Sequence, residues 1–306
     1  MTLQQFQYII ALDDHRHFVK AASACFVTQP TLTMQVRKLE EEMGVMLFDR
    51  RTQPVQPTEM GKMVIAQARV VLRETAQLTT LVEELRAGLS GSLRVGIIPT
   101  LAPYLLPLFL TEFAHAHPTL ELHIDERKTS RILKSLRRGE LDLGILVTPV
   151  DPMEFEEVKL FQEAFLAYLP QDHQLWGNKR LQRKDLQNQA LWVLGEGHCF
   201  RDQMLSLCDR PSAAGHDNVL YESGSIETLK NLVRQGSGMT LVPELSVSTN
   251  DLHVRRFMAP EPVRQVSLVV RKPFVRRKVL EALASVIKAS VPQARTRSME
   301  VIPLGN

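Results

Sequence analysis

The first part of the chain has apolar residues at helical spacing, interrupted by a polar break at residues 13–17. A second, short helix is predicted from Phe18, and Thr28 and Pro30 offer a cap and an early-turn proline for a third helix that reaches about Met43. A small-residue helix, a tight turn and another helix predict a helix-turn-helix, with a plain helical hairpin as the alternative. One face of the first predicted helix carries Leu3, Phe6 and Ile10.

The third predicted helix buries one apolar stripe and leaves polar side chains on the rest of its surface. Such side chains near the start of a helix can form hydrogen bonds with base edges in the major groove. An arginine in the predicted hairpin can bind a backbone phosphate. The predicted DNA contacts are Thr28, Gln29, Thr31, Thr33, Gln35, Arg37 and Arg50. Residues 1–60 hold six Lys and Arg against seven Asp and Glu, so DNA binding would need a local patch.

From Thr58 onward, the apolar residues alternate spacings of four and three. The positions concerned are Val64, Ala68, Val71, Thr75, Leu78, Val82, Leu85 and Leu89. A 3.5-residue repeat of this length predicts a coiled-coil helix that ends at residues 88–91. Because a coiled coil needs a partner, we expect a dimer that carries two helix-turn-helix units side by side.

After Gly91, short apolar strands alternate with helices, which predicts a parallel sheet with helices on both faces. A late strand at 266–270 and a helix at 273–289 are expected to return to the first lobe, so that two lobes enclose a cleft. Ligands bind at the carboxyl ends of strands in such sheets. The residues predicted at these ends are Thr100, Thr129, Cys199 and Ser223. The segment after Pro292 has no periodicity and is predicted to be disordered.

Two of the three cysteines, Cys199 and Cys208, lie in one stretch. His198 and Arg201 flank Cys199, and a helix is predicted from Phe200, so we expect the pKa of the Cys199 thiol to be lowered. Nine helical residues rise about 13.5 Å, whereas disulfide-bonded Cα atoms lie about 4.4–6.8 Å apart. A bond between these cysteines would therefore require the helix to unwind. Two passive buried thiols remain an alternative, as does a zinc site of His198, Cys199, Cys208 and His216.

Composition narrows the class of protein only a little. The 306 residues, of which 44% are hydrophobic, are enough for more than one domain, and a net charge of +3 does not point to nucleic acid. Three cysteines make no disulfide framework, so any disulfide would be regulatory. Because the amino terminus lacks a signal-peptide pattern and no apolar run approaches about 18 residues, we expect a cytoplasmic protein without a membrane partner.

Several motifs together resemble the LysR-type transcriptional regulators. Those of the amino-terminal part are Gln29-Pro30-Thr31-Leu32-Thr33, Lys38-Leu39-Glu40 and Gly44-Val45-Met46-Leu47-Phe48-Asp49-Arg50. Those of the later part are Ile98-Pro99-Thr100, Ser225-Ile226-Glu227-Thr228-Leu229 and Gly236-Ser237-Gly238-Met239-Thr240. The stretch Gly197-His198-Cys199-Phe200-Arg201-Asp202-Gln203, with Cys208 following, is similar to that of peroxide-sensing members. The resemblance implies an α/β protein with a winged helix-turn-helix, a coiled-coil linker helix and a two-lobed effector domain like periplasmic binding proteins.

The resemblance also implies domain limits and residue roles. The limits are 1–58 for the DNA-binding domain, 59–90 for the linker helix, 91–163 with 266–292 for lobe I, 164–265 for lobe II, and 293–306 for a tail. Cys199 is implied to be the peroxidatic thiol and Cys208 its disulfide partner. The implied peroxide pocket consists of Thr100, Thr129, His198, Asp202 and Arg264. His216 is a candidate for a further pocket histidine, since the loop between Cys208 and Val219 is longer than the family pattern.

The leading hypothesis is a peroxide-responsive transcription factor that has hydrogen peroxide as its effector and needs no cofactor. The expected partners are double-stranded DNA, further copies of the chain in a dimer and a tetramer, RNA polymerase, and a thiol reductant such as thioredoxin or glutaredoxin. Two alternatives remain open. One is a regulator that binds a small organic anion in the cleft, and the other is a thiol peroxidase, which the helix-turn-helix and the coiled coil argue against.

Overall fold

The chain forms two compact units, Met1–Gly88 and Leu89–Asn306. This computed structural model describes residues 1–306 except 88, 188, 208–211, 214–223, 237, 293–298 and 303–306. Within those ranges, no helix combines the length and the apolar character needed to cross a membrane.

The first unit contains the predicted helix-turn-helix, a short hairpin and a long helix. Its elements are α1 (Leu3–His15), α2 (Phe18–Ala24), α3 (Gln29–Met43), β1 (Phe48–Asp49), β2 (Gln56–Pro57) and α4 (Glu59–Ala87). Thr28 caps α3 by accepting a hydrogen bond from the backbone N–H of Thr31. Gly44 ends α3 with a φ of 68°, a left-handed conformation that suits glycine. The start and the end of α3 are therefore encoded locally.

The face of α1 that carries Leu3, Phe6 and Ile10 is only partly buried. Leu3 is exposed, and the residues that α1 buries are Gln5, Tyr8, Ile9 and Leu12. Apolar residues occupy two adjacent stripes of this helix, and packing against α2 and α3 selects one of them. Gln5 is buried because its side chain completes a capping box with Thr2 and also donates to Gln35.

The 3.5-residue repeat falls on α4, whose two ends differ in environment. Ala68 is buried in the core of the first unit, together with Ile65. Farther along the helix, Leu78 and Val82 are 65% and 46% exposed. Leu78 and Val82 of the repeat thus leave apolar surface open to solvent in the single chain.

The second unit is built from alternating strands and helices. Its strands are β3 (Gly91–Ile97), β4 (Leu120–Glu126), β5 (Leu143–Thr148), β6 (Phe155–Tyr168), β7 (Arg180–Leu181), β8 (Ala190–Trp192), β9 (Ser212–Ala213), β10 (Met239–Pro243), β11 (Val254–Phe257), β12 (Glu261–Arg271) and β13 (Met299–Val301). Its helices are α5 (Ala102–Ala116), α6 (Thr129–Arg138), α7 (Cys199–Leu207), α8 (Ile226–Arg234) and α9 (Arg277–Ser290), with 3-10 turns at Arg183–Leu186 and Glu244–Ser246.

Two long strands, β6 and β12, run through both lobes. In lobe I, β3 pairs in parallel with β4 and β5, and in lobe II β8 pairs in parallel with β9 and β10. β12 is antiparallel to both β5 and β6. The sheet is thus mixed: β3, β4 and β5 are parallel as predicted, and the crossing strands are antiparallel because one strand must leave lobe I and another must return. In the β6–β12 register, Arg264 stands opposite Glu163.

Each lobe has its own hydrophobic core. Residues of β3, α5, β5 and α9 form the core of lobe I, and residues of β6, β8, α7, α8 and β10 form that of lobe II. α7 buries Phe200, Met204 and Leu207 in lobe II, which is the face that the sequence predicts. A shared sheet with two separate cores is the architecture expected of a two-lobed effector domain.

The prediction that the segment after Pro292 is disordered is wrong for Met299–Val301, which forms the strand β13. This strand lies in parallel beside the start of β12, and Ile302, which is 1% exposed, joins the core of lobe II. The amide nitrogen of Gln203 on α7 donates to the backbone oxygen of Ile302 at 2.8 Å. A strand of three residues has no pattern of its own, and pairing with the edge of β12 creates it.

Candidate functional site and nucleic-acid interface

Cys199 is the first residue of α7, one position earlier than the sequence predicts. The chain reaches it through a turn in which Gly197 has a φ of 79°, a conformation that side chains other than glycine rarely adopt. A Cβ at this glycine would lie 3.2 Å from Cδ of Lys128. The ammonium group of Lys128 in turn donates to the backbone oxygen of Glu196 at 2.6 Å. The loop before Cys199 is therefore held from the lobe I side.

The cation beside Cys199 is Arg264, and not the sequence neighbour Arg201. The guanidinium of Arg201 points to the backbone oxygen of Leu194, at 2.8 Å. Arg264 is fully buried and donates to the Thr100 hydroxyl at 3.0 Å and to the Thr100 backbone oxygen at 3.1 Å. Its positive charge favours the thiolate of Cys199. The predicted pair of Thr100 and Arg264 is therefore brought together by β12 and by the loop after β3.

The predicted lowering of the Cys199 pKa was wrong, because burial outweighs the groups that favour a thiolate. Burial raises the pKa of the thiol, and Asp202 adds to this effect. Arg264, the Thr129 hydroxyl and the backbone N–H of Phe200 lower it without reversing the net direction. Taking a charged sulfur out of water costs more than these contacts return. The reduced protein thus holds Cys199 mainly as a neutral thiol.

His198 also differs from its predicted role as a flanking base or cation. The residue is 7% exposed, and its burial, followed by the charge of Lys128, lowers its pKa below the usual value. The imidazole is therefore neutral at pH 7 and gives Cys199 no positive charge.

Thr129 begins α6 and supplies a hydroxyl near the thiol. Its oxygen is buried and makes no hydrogen bond of ordinary geometry with the residues that the structure describes. It nevertheless lies close enough to the sulfur to lower the pKa of Cys199. A buried hydroxyl without a partner costs about 1–3 kcal/mol. The site is therefore suited to a small molecule that accepts and donates hydrogen bonds.

The sequence analysis missed Glu163, the carboxylate that holds Arg264. Its Oε2 accepts from Nε of Arg264 at 2.8 Å and lies 2.7 Å from NH2, and its Oε1 accepts from the backbone N–H of Leu245 at 3.0 Å. Glu163 is only 2% exposed. No motif marks this residue, because the contact arises from the pairing register of two strands that are distant in sequence.

The carboxyl end of α7 is also held by contacts from elsewhere in lobe II. The guanidinium of Arg183 donates to the backbone oxygen of Ser206 at 2.6 Å and lies 3.6 Å from the carboxylate of Glu300. These contacts satisfy the last turn of the helix. Cys208 and the candidate His216 lie outside the described residues.

No metal site appears within the described ranges, where no three His, Cys, Asp or Glu residues come together as ligands. The zinc alternative involves Cys208 and His216, which those ranges do not include.

The predicted pocket residue Asp202 is exposed at the first turn of α7.

A cavity of about 640 Å³ lies along β6 and the segment after β10. Tyr104 and Phe161 line it, and Glu163 borders it as well, whereas Cys199 and Arg264 do not. The Tyr104 hydroxyl also donates to Glu227 at 2.8 Å, so that α5 of lobe I is joined to α8 of lobe II. Burial, and then this bond, raises the pKa of Tyr104.

The predicted DNA contacts surround the first half of α3. Thr28, Gln29 and Arg37 are exposed, and Thr31, Thr33 and Gln35 are half-buried. Gln35 accepts from Gln5 at 3.2 Å, and Arg37 pairs with Glu41 at 2.9 Å. These side chains are therefore partly oriented by the unit itself before any DNA binds.

Arg50 has a structural role in addition to its predicted phosphate contact. Its guanidinium donates to Glu40 at 2.6 Å. Glu40 is buried and also accepts from the backbone N–H groups of Leu47 and Phe48 at 2.8 and 3.2 Å. The carboxylate thus joins α3 to the hairpin, and Arg50 neutralises it.

Comparisons with known proteins agree with this architecture. The family of bacterial regulatory helix-turn-helix proteins of the lysR type matches residues 3–62, and the LysR substrate binding domain matches residues 86–292. The chain is 38% identical over 292 residues to the hydrogen peroxide-inducible genes activator of Dickeya chrysanthemi, covering 94% of this chain and 95% of the relative.

Two solved structures share the fold. A full-length OxyR variant from Pseudomonas aeruginosa has a TM-score of 0.76 and 34% identity, covering 95% of this chain and 99% of the other. An OxyR mutant from Corynebacterium glutamicum, described as bound to H2O2, has a TM-score of 0.63 and 29% identity, covering 94% and 92%.

Proposed function

This chain belongs to the LysR family of transcriptional regulators, and on that premise we propose that it senses hydrogen peroxide through Cys199. The observation that carries the proposal is the setting of this thiol at the start of α7, beside Arg264 and the buried Thr129 hydroxyl. The names of the similar proteins, a peroxide-inducible activator and an OxyR bound to H2O2, support it.

The first chemical step follows from these groups. The thiolate of Cys199 attacks one oxygen of H2O2, the O–O bond breaks, and a sulfenic acid and a hydroxide form. Arg264 stabilises negative charge on the sulfur and on the departing oxygen. The Thr100 hydroxyl accepts a hydrogen bond from Arg264, which leaves its own proton free to be donated to that oxygen. Hydroxide then leaves as water once it has gained a proton.

In the second step, the Cys208 thiol attacks the sulfenic acid, a disulfide forms and water leaves. For this attack α7 must unwind, because its nine residues separate the two ends of the helix. Unwinding removes Phe200, Met204 and Leu207 from the core of lobe II. The oxidised lobe therefore takes a different shape, and a thiol reductant such as thioredoxin or glutaredoxin restores the helix.

The change of shape is passed on through the oligomer. LysR membership means that the chain binds DNA and forms oligomers. We propose a dimer through α4 and a tetramer of two dimers, acting with RNA polymerase in the cytoplasm, where the chromosome lies. The domain limits predicted from the sequence belong to this proposal. The proposed DNA contacts are Thr28, Gln29, Thr31, Thr33, Gln35, Arg37 and Arg50.

A second candidate is a regulator that responds to a small organic metabolite. The cavity beside β6 favours it, since a volume of about 640 Å³ admits a small molecule and Glu163 connects this cavity to Arg264. In that case the cysteines would be passive. A thiol peroxidase with turnover is the remaining alternative, and measuring peroxide consumption with thioredoxin or glutaredoxin distinguishes it.

The test of the proposal compares Cys199→Ser and Cys208→Ser with the parent protein. Brief exposure to limiting peroxide, followed by peptide mapping, should show Cys199 modified first, including in Cys208→Ser. The change in DNA binding on oxidation should be absent from Cys199→Ser. A Cys199→Ser protein that still responds to peroxide, or a Cys208 that is oxidised first, would refute the assignment.

A further inference from the structure

The cation that faces the sensor thiol is bound to a carboxylate that the chemistry above does not use. Glu163 and Arg264 are 2% and 0% exposed, and they stand opposite each other on β6 and β12. Two nitrogens of the guanidinium lie 2.8 and 2.7 Å from the same carboxylate oxygen. Such a pair is a strong, directional contact that fixes the plane of the guanidinium.

Stability alone does not explain why a buried ion pair of this kind is present. Removing two charges from water costs several kcal/mol, and apolar residues of similar volume often serve a core equally well. Arg264 has further contacts that define its place: it donates to Thr100, and its Cζ lies 5.0 Å from the centre of the Phe200 ring. Phe200 follows Cys199 directly. The pair is thus built around the thiol.

We propose that Glu163 is a positioning residue for the oxidation of Cys199, because it both fixes Arg264 and neutralises its charge, and thereby limits the reactivity of the reduced sensor. This inference rests on the proposed role of Cys199. It assigns Glu163 to the sensitivity of the sensor and not to the chemistry of the peroxide.

The direction of the effect follows from the charges around the thiol. The groups concerned are Arg264 on β12, Asp202 on α7, His198 in the loop before it, Lys128 beside His198, and Glu163 on β6 behind Arg264. In the pair, the negative charge of Glu163 offsets the positive charge that favours the thiolate. Without Glu163, the guanidinium stays protonated and its full positive charge acts on the thiolate.

The experiment replaces Glu163 by Gln and measures the rate of alkylation of Cys199 by iodoacetamide across a range of pH. The Gln side chain keeps the oxygen that accepts from Leu245, so the local fold is retained. Trypsin cleaves after Arg201, so Cys199 and Cys208 fall on separate peptides and mass spectrometry follows each one. The pKa of Cys199 should fall by about one unit or more. Because a more acidic thiolate is also less nucleophilic, the rate at pH 7 should rise about threefold.

The matched control is Glu244→Gln, which removes a carboxylate that pairs with Arg256 and leaves Arg264 bound to Glu163. Its titration of Cys199 should equal that of the parent. Should Glu163→Gln not fold, Glu163→Asp withdraws the carboxylate by one methylene and should shift the pKa in the same direction by less. An unchanged or raised pKa in the variant tested overturns the inference.

Alkylation requires neither peroxide nor DNA, which keeps this inference separable from the proposed function. The same variant, treated with limiting peroxide, should form sulfenic acid at Cys199 about threefold faster than the parent at pH 7. A shifted titration with a Cys199 that stays inert to peroxide would disprove the sensor and also the role of Glu163 in it. An unshifted titration with normal oxidation would disprove the role of Glu163 alone.

Discussion

The Cys199 thiol is subject to two opposing influences, burial in protein and a fixed guanidinium. Burial is the stronger of the two, so the reduced form holds a thiol and only a small fraction of thiolate. A buried nucleophile is shielded from large or charged reagents, and the proposed effector, H2O2, is small and neutral. Selectivity among oxidants then depends on their access to Cys199 and on stabilisation of the transition state by Arg264, more than on the pKa of the thiol.

The pH dependence of this thiol is a first prediction. Because the pKa is raised, the alkylation of Cys199 in the reduced protein should have its inflection above about 8.5, the value for a free cysteine. The sign for stability follows: burial of the neutral thiol stabilises the folded state fully below the unfolded pKa, and this contribution is lost as the pH rises through the folded pKa. An inflection below that of a free cysteine would contradict the burial argument.

Thr129→Val gives a second prediction, in which stability and reactivity change in opposite directions. The variant removes a buried hydroxyl that lacks a partner among the described residues, so the free energy of unfolding should rise by about 1 kcal/mol. It also removes a group that lowers the pKa of Cys199, so oxidation by peroxide should slow about tenfold. Denaturant unfolding and stopped-flow oxidation measure the two effects. Thr129→Ser, which keeps the hydroxyl, should restore the rate; a Val variant that oxidises at the parent rate would exclude Thr129 from the site.

The sequence led to part of this site and misled on the rest. Thr100, Thr129 and Arg264 followed from family resemblance, and the structure places Thr100 against Arg264. Its position in the sequence predicts Arg201 as a cation beside Cys199, but its guanidinium donates to the backbone oxygen of Leu194 instead. Glu163 becomes visible only when the register of β6 and β12 is known. Local motifs identify the thiol, and long-range pairing determines its electrostatics.

At the scale of elements, α7 is held in place by the rest of lobe II at several points. Three apolar side chains pack into the core, Gln203 donates to Ile302, and Arg183 caps the last turn. Burial of three such side chains contributes several kcal/mol, comparable to the roughly 3 kcal/mol of a disulfide that closes a short loop. The reduced and oxidised forms should therefore be similar in stability, so that cellular thiols reset the sensor readily.

Amide exchange across α7 tests this balance and is the third prediction. In the reduced protein, the backbone N–H groups of residues 203–207 should be protected, since they are bonded within a packed helix. In the disulfide form, confirmed by mass, this protection should be largely lost, while that of α9 in lobe I is retained. Equal protection of α7 in both forms would mean that the disulfide forms without unwinding of the helix.

The predicted DNA-contacting surface of α3 gives the fourth prediction, which concerns Arg37 and its ion-pair partner. Arg37→Ala should weaken operator binding and, as expected for the loss of one base contact, reduce discrimination against a wrong base by about 1–3 kcal/mol. Glu41→Ala breaks the same ion pair but keeps the cation, and it should bind at least as tightly as the parent. Equal losses in both variants would indicate that the ion pair matters for the helix and not for DNA.

Helix periodicity predicted most elements, and the features that it left undetermined have a common physical origin. The face of α1 and the strand β13 were both decided by what they pack against, Gln35 and α2 in one case and the edge of β12 in the other. A short segment such as Met299–Val301 carries little intrinsic preference, so its structure depends on a neighbour supplied by the fold. The amino-terminal cap of α3 at Thr28, by contrast, is local and is predicted from the sequence.

At the scale of the whole molecule, the exposed apolar side chains of Leu78 and Val82 on α4 argue for assembly, and the fifth prediction tests it. Leu78→Asp places a charge on the later part of the 3.5-residue repeat, where the parent side chain is 65% exposed in the single chain. The variant should sediment as a monomer at concentrations at which the parent is oligomeric. Met63→Asp is the control, since Met63 is 69% exposed on the same helix but lies outside the repeat. If both variants stay oligomeric, another surface holds the copies together.

Because β6 and β12 lie side by side where they cross between the lobes, lobe II could be exchanged between related genes by recombination. Apart from β13 and Ile302, which return to it from the end of the chain, lobe II is an insertion: the chain enters it along β6 and leaves along β12, and Ala164 and Val263 are paired neighbours at the junction. Two cuts that are distant in the gene therefore meet at one place in space, as domain insertion requires. Joining these strands by a tight turn would close an ordinary hairpin and leave the core of lobe I complete. Recombination at two points, together with exchange of the segment that carries β13, would thus replace the lobe that carries Cys199 and Cys208 while lobe I and the linker helix remain unchanged.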